Sequence, residues 1–241
     1  MVVCIAGNFD EAEVSSILGG HFGGLDGGEP AKNVPLQNAQ DSARHVFRRG
    51  PTKMGYLKLC HKACSYHDPL LYRVLVLSDI LGGGVTSRLF SRLRERDGLV
   101  YDVSANTTLF SDCGSVDIAT TTSRDKVAAT VEATLEEIRR LADDGIQEEY
   151  LQTIKDRVAC HMEILEDSPP DVADWLGVRD LLLSPERLVT PTEEARRLDS
   201  VTVEGIRTVA REVFRPAHRS LVVVGPTSWL QRRRIRKALV Q

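Results

Sequence analysis

The chain opens and closes on the same local unit. Val2 to Ala6 is a short continuous apolar run that reads as a buried strand. Gly7-Asn8 punctuates it, and Asp10 can N-cap a helix with apolar positions Ala12, Val14, Ile17 and Leu18. Near the other end Leu221 to Gly225 reads as a strand stopped by a glycine, and Ser228 to Leu239 as the helix that follows. Two copies of a terminal unit imply two repeats, yet only one full body lies between them. The opening copy then reads as the tail of a repeat whose body is missing: residues 1–25 a remnant, 26–50 a linker, 51–241 a full domain. Two short strand–helix units can also coincide by chance, so the echo alone does not decide.

Between the echoes, strands and helices mix. Met54 to Ala63 alternates with Met54, Tyr56, Lys58, Cys60 and Lys62 on one side. Asp68-Pro69 opens a helix carrying Leu71, Val74, Leu75, Ser78 and Leu81, which Gly82-Gly83-Gly84 stops. A second helix is expected over Arg88 to Asp97, ending at Gly98. Leu99 to Leu109 and Ser115 to Thr121 read as strands joined by a turn. Helical spacing follows in Val127, Val131, Leu135, Ile138 and Leu141. A long helix from about Glu148 is broken at Ser168-Pro169-Pro170, where the missing N–H forbids continuation. Two further helices are expected near 192–198 and 202–214.

The glycines at 19, 20, 23, 24, 27 and 28 form neither GxGxxG nor GxxxxGK[ST], and no strand runs into them. They read as a helix C-cap and flexible linker rather than a phosphate cradle. Thirty-one Lys and Arg against 34 Asp and Glu leave a net charge of −3, which gives no general reason to bind nucleic acid or anionic membranes. The basic tail (Arg232, Arg233, Arg234, Arg236, Lys237) reads as a solvated helix face. Five scattered cysteines suit a reducing compartment, and no signal peptide is legible, so the expected location is cytoplasmic.

No complete catalytic apparatus is visible. The histidines at 21, 45, 61, 67, 161 and 218 form neither HExxH nor HxxEH, and there is no GxSxG elbow. Cys60, His61, Cys64 and His67 make the nearest cluster to a ligand set. Cys60 and Cys64 lie about 13 Å apart on an extended strand and read better as buried strand cysteines. What is left is the run from Ile80 to Tyr101. Its helix packs through Leu89, Phe90 and Leu93, with Arg94 beside that stripe and Tyr101 at the start of the next strand. An arginine and a tyrosine converging on one cleft can hold a peptide carbonyl and donate to a developing oxyanion. The alternative is a surface arginine paired with Glu95 or Asp97 and a half-buried strand tyrosine.

The pattern Leu81-Gly82-Gly83-Gly84, Ser87-Arg88-Leu89-Phe90, Leu93-Arg94-Glu95, Gly98-Leu99 and Tyr101 closely resembles the second-half signature of pitrilysin/insulinase-type zinc peptidases. Gly7-Asn8-Phe9-Asp10, Asp68-Pro69 and Val222-Val223-Val224-Gly225-Pro226 extend the likeness along essentially the whole chain. The resemblance implies an α+β domain with a mainly antiparallel sheet covered by helices, one full repeat of a two-repeat half-clamshell. It implies that Arg94 and Tyr101 engage a peptide near its scissile bond, with Gly82, Gly83, Gly84 and Ser87 at the substrate. It also implies that zinc is held by an HxxEH-bearing partner half and not by this chain, which carries no such motif.

The expected function is therefore the substrate-binding half of a metallopeptidase for unfolded peptides or propeptides, inactive without its zinc-bearing partner. The alternative is a non-catalytic assembly subunit, like the family's relatives in a respiratory complex. The chain can be a natural short subunit or a piece of a longer protein. In the second case Val2–Ala6 would leave its backbone edge unpaired, and a dimer through it is expected.

Overall fold

The computed structural model describes residues 1–29, 34–37, 40–182 and 188–241. Among them run β1 (Arg44–Arg48), β2 (Met54–Ala63), β3 (Val100–Leu109), β4 (Gly114–Ser123) and β5 (Arg219–Val224). They form one sheet in the order β1-β5-β2-β4-β3. β2 pairs antiparallel with both β4 and β5, β3 pairs antiparallel with β4, and β1 runs parallel to β5. The α+β architecture with a mainly antiparallel sheet is the one expected.

The alternation in β2 sets the two faces. Leu57, Leu59 and His61 are buried, whereas Met54, Tyr56 and Lys58 are exposed. Val116 and Ile118 of β4 and Leu221 and Val223 of β5 share the buried side. Against it pack α2 (Leu71–Gly82), α3 (Val127–Asp144), α7 (Val203–Val213) and α8 (Trp229–Leu239). α4 (Glu148–Glu166) and α6 (Pro191–Arg196) form an outer layer over α2. α4 stops at Glu166 and α5 (Pro169–Leu182) begins at the proline pair, as the missing N–H requires. Among the described residues no helix is long and apolar enough to cross a membrane.

Three local features depart from expectation. Val2 to Ala6 adopts no strand. It lies along α5 instead, with Cys4 beside Gly177 and Gly7 beside Pro169, and α1 (Glu11–Phe22) follows, capped by Asp10. It pairs with none of the five strands. Arg44–Arg48, inside the stretch read as linker, is an edge strand of the sheet. Its alternation is hidden by the charged Arg44, His45 and Arg48, yet Phe47 packs on the core and α8 covers it, with Arg232 and Arg236 over the Phe47 ring. Residues 30–33 and 38–39 of the same stretch lie outside the described residues. Finally, the helix expected over 88–97 is π-helical from Phe90 to Arg96.

Candidate functional site

The site begins where α2 ends. Gly82 is buried against β3, and a methyl group there would overlap the Ala105 backbone nitrogen. Gly83 lies against the Asp79 carboxylate, and Gly84 adopts φ 140°, a conformation that favours glycine. The glycines therefore bring the chain tightly off the helix and over the sheet. The loop that follows is fastened from three directions. Arg157 bridges the Asp79 carboxylate and the Thr86 hydroxyl. Tyr150 donates to the Thr86 carbonyl, and Arg88 reaches both Glu137 and the Gly145 carbonyl. Burial raises the Asp79 carboxyl above its ordinary range, with Arg157 pulling the other way. Ser87 is fully buried and its Oγ has no partner among the described residues.

This anchored loop launches the π-helical turn. The Asp97 N–H donates to the Arg92 carbonyl, five residues back, and the Leu99 N–H closes the end on Leu93 through Gly98 at φ 56°. Within this turn Arg94 lies over Phe90, four residues back, its guanidinium carbon 4.7 Å from the ring centroid. Arg94 also meets Tyr101, 4.8 Å from that ring's centroid. Arg94 thus lies close to both rings, and none of its N–H groups makes a hydrogen bond among the described residues. Among the described residues it makes no ion pair, so neither Glu95 nor Asp97 claims it; Asp97 pairs with Arg92 and Arg96.

Tyr101 also sits in an irregularity. Val100 pairs with Thr122 and Val103 with Thr120, so Tyr101 and Asp102 together face the single residue Thr121 across a β-bulge. Two hydroxyls pin it: Thr122 donates to the Leu99 carbonyl and Thr120 to the Asp102 carbonyl, each at 2.6 Å. The bulge turns the ring outward, leaving Tyr101 82% exposed rather than half-buried.

Tyr101 stands at the border of a groove of about 860 Å³ over the sheet face that, among the described residues, no helix covers. Tyr56, Lys58, Val222 and Val224 form its floor, with Lys126 at the rim. Sequence alternation separates these residues from the core, but nothing in it marks their face as bare. The structure thus unites Arg94 with Tyr101 and sets both beside the groove. Gly82, Gly84 and Ser87 line no part of it, and Gly83 faces a smaller cavity of about 370 Å³ between α2 and α4. These four positions belong to the segment that leads from α2 into the π-helical turn carrying Arg94.

The donors present do not fit a catalytic zinc. Among the described residues no three His, Cys, Asp or Glu side chains gather where a metal could sit. Burial pushes the Cys60 thiol up to about 12, with Asp117 adding to it, and Cys64 up to about 11.

Comparison with known proteins matches this fold. A uncharacterised zinc protease of Bacillus subtilis, YmxG, is 25% identical over 227 residues, covering 94% of this chain and 54% of that protein. The chain thus spans about half the length of the curated relatives it matches. A Helicobacter pylori protease structure superposes with a TM-score of 0.83 at 19% identity, over 92% of this chain and 54% of the other. A peptidase M16 inactive domain from Pseudomonas fluorescens superposes with a TM-score of 0.78 at 23% identity, over 92% and 53%. The family model for the peptidase M16 inactive domain matches residues 1–158. With that model covering well over half of its length, the chain belongs to the peptidase M16 inactive-domain family.

Proposed function

We propose that the chain is the substrate-binding, transition-state-supporting half of a zinc metallopeptidase that cleaves extended, unfolded peptides. One observation carries this reading: an unpaired guanidinium, stacked on an exposed phenol, stands beside an open groove on a bare sheet face. A peptide stretched along the groove brings its carbonyls to that border. Arg94 donates N–H groups to a ground-state carbonyl and holds the chain in place. Tyr101 donates its O–H to the oxygen that gains charge as a tetrahedral intermediate forms. Both groups are donors, and neither generates a nucleophile at neutral pH. Hydrolysis therefore belongs to the pair formed with an HxxEH-bearing half. Assembly with that half uses the apolar N-terminal segment, where Val3, Ile5 and Phe9 are exposed.

The test mixes the chain with an HxxEH-bearing subunit from a neighbouring reading frame and follows cleavage of an unstructured fluorogenic peptide. Tyr101→Phe should lower kcat about 100-fold, the cost of one oxyanion donor. Arg94→Ala should chiefly raise KM, because it removes an interaction made before the transition state. Turnover unchanged in both variants would overturn the catalytic role and favour the non-catalytic assembly subunit.

A further inference from the structure

The bare face of the sheet is read from its register. One row across it is Arg44, Ser220, Cys60, Asp117 and Asn106; the next is Val46, Val222, Lys58, Ala119 and Ser104; the third is Arg48, Val224, Tyr56 and Thr121, ending at the bulge. Val46, Val222, Val224 and Tyr56 form an apolar patch on this surface, with Lys58 beside it on the central strand. The margins of the surface are cationic. Arg44 and Arg48 lie exposed on the β1 side, and neither makes an ion pair among the described residues. Lys62 lies near enough to Arg44 for the two charges to repel. Lys126 and Arg94 stand at the opposite margin, by the bulge.

Three carboxylates answer these charges, and Asp41 stands beside Lys62. Asp117 is already engaged, by Lys58 at 3.3 Å and by the Thr108 hydroxyl at 3.2 Å, leaving the exposed Asp102. The cations of this face outnumber its carboxylates although the whole chain carries −3.

We infer that the groove selects extended peptides in which acidic side chains flank apolar ones. This rests on the proposed peptide-binding function and names its substrate class. A strand lying across the rows alternates its side chains, so apolar groups meet Val222, Val224 and Tyr56 while neighbouring carboxylates reach Arg44 and Arg48 on one side or Lys126 on the other. A peptide rich in Lys or Arg meets like charge at both margins and is rejected by repulsion as well as by lack of partners.

The experiment measures binding of the whole chain by fluorescence anisotropy. The probes are unstructured peptides of one length and one apolar content, bearing either glutamates or lysines, and a single-stranded oligonucleotide of the same negative charge as the first. The glutamate peptide should bind about tenfold more tightly than the lysine peptide at low salt, with the gap narrowing as salt rises. The variant Arg44→Glu/Arg48→Glu, whose folding is checked by its thermal transition, should lose that preference. Equal binding of the two peptides, or tighter binding of the lysine peptide, overturns the acidic selectivity while leaving peptide binding intact. A preference undiminished in the variant assigns it to another surface and overturns the inference equally. Tighter binding of the oligonucleotide than of the glutamate peptide overturns it in favour of nucleic acid. Failure of every peptide to bind overturns the proposed function itself.

Discussion

His61 on β2 is fully buried, edge-on to Phe214 with ring centroids 4.9 Å apart, and the Arg219 guanidinium stands 3.4 Å from its Nε2. Burial first, then the Arg219 charge, depresses its pKa to about 3. The unfolded chain takes up a proton near pH 6.5 that the folded chain refuses. Stability from this residue is thus full above about pH 6.5 and is lost as pH falls toward 3, at up to about 1.4 kcal/mol per pH unit. Urea midpoints should drop between about pH 7 and pH 5. The variant His61→Leu, which has nothing there to protonate, should show a shallower drop, and an equal slope in both proteins would refute the assignment. Arg219 earns its buried position by donating to the Leu239 carbonyl at the end of α8 and to Phe214 past the end of α7. Neither residue announces this in the sequence, because a histidine and an arginine at strand positions look like surface residues until their partners arrive from distant helices. Arg94 and Tyr101 differ: their pattern was legible, and only their contact was not. Helical periodicity already sets Arg94 one turn after Phe90, whereas its contact with Tyr101 depends on where the next strand begins.

At the scale of elements, α2 and β3 are drawn together at one residue. Gly82 lets the helix end approach Ala105 more closely than any side chain would permit. Gly82→Ala should cost about 1–3 kcal/mol, the usual penalty of overpacking, read as a lowered denaturation midpoint. A neutral substitution would mean that α2 can shift freely over the sheet. Because α2 feeds the loop held by Arg157, Tyr150 and Arg88, the same change should disturb Arg94. Long, periodic helices such as α3 were legible within a residue or two, since Val127, Val131, Leu135, Ile138 and Leu141 make one buried stripe. β1 was not, because a parallel edge strand is defined by its neighbour β5, some 170 residues later, and not by any local rhythm. The bulge at Tyr101-Asp102 was hidden for a similar reason: it is a mismatch between two strands, with no signature in either alone.

For the whole molecule, one apolar core joins the buried sheet face to its helices, with Leu77, Ile80, Leu89, Leu93, Ile118 and Leu221 all below 2% exposure or close to it. Burial on this scale holds the fold without a metal. Adding a chelator to the isolated chain should leave its Tm unchanged, and a fall of several degrees would show that a bound ion supports the structure. The echo between the chain's two ends was legible as sequence but not as structure. The closing copy becomes β5 and α8 inside the domain, whereas in the opening copy only the helix forms and its leading segment lies along α5. That difference arises because a strand exists only with a partner, and β5 has two. β5 lies between β1 and β2, yet it follows both by more than 150 residues. During synthesis β1 and β2 therefore wait without the strand that joins them, and β2 can pair only with β4. The sheet closes by insertion of a late strand, a step of high contact order that sets the pace of folding and leaves the β2 edge exposed to wrong partners until it is complete.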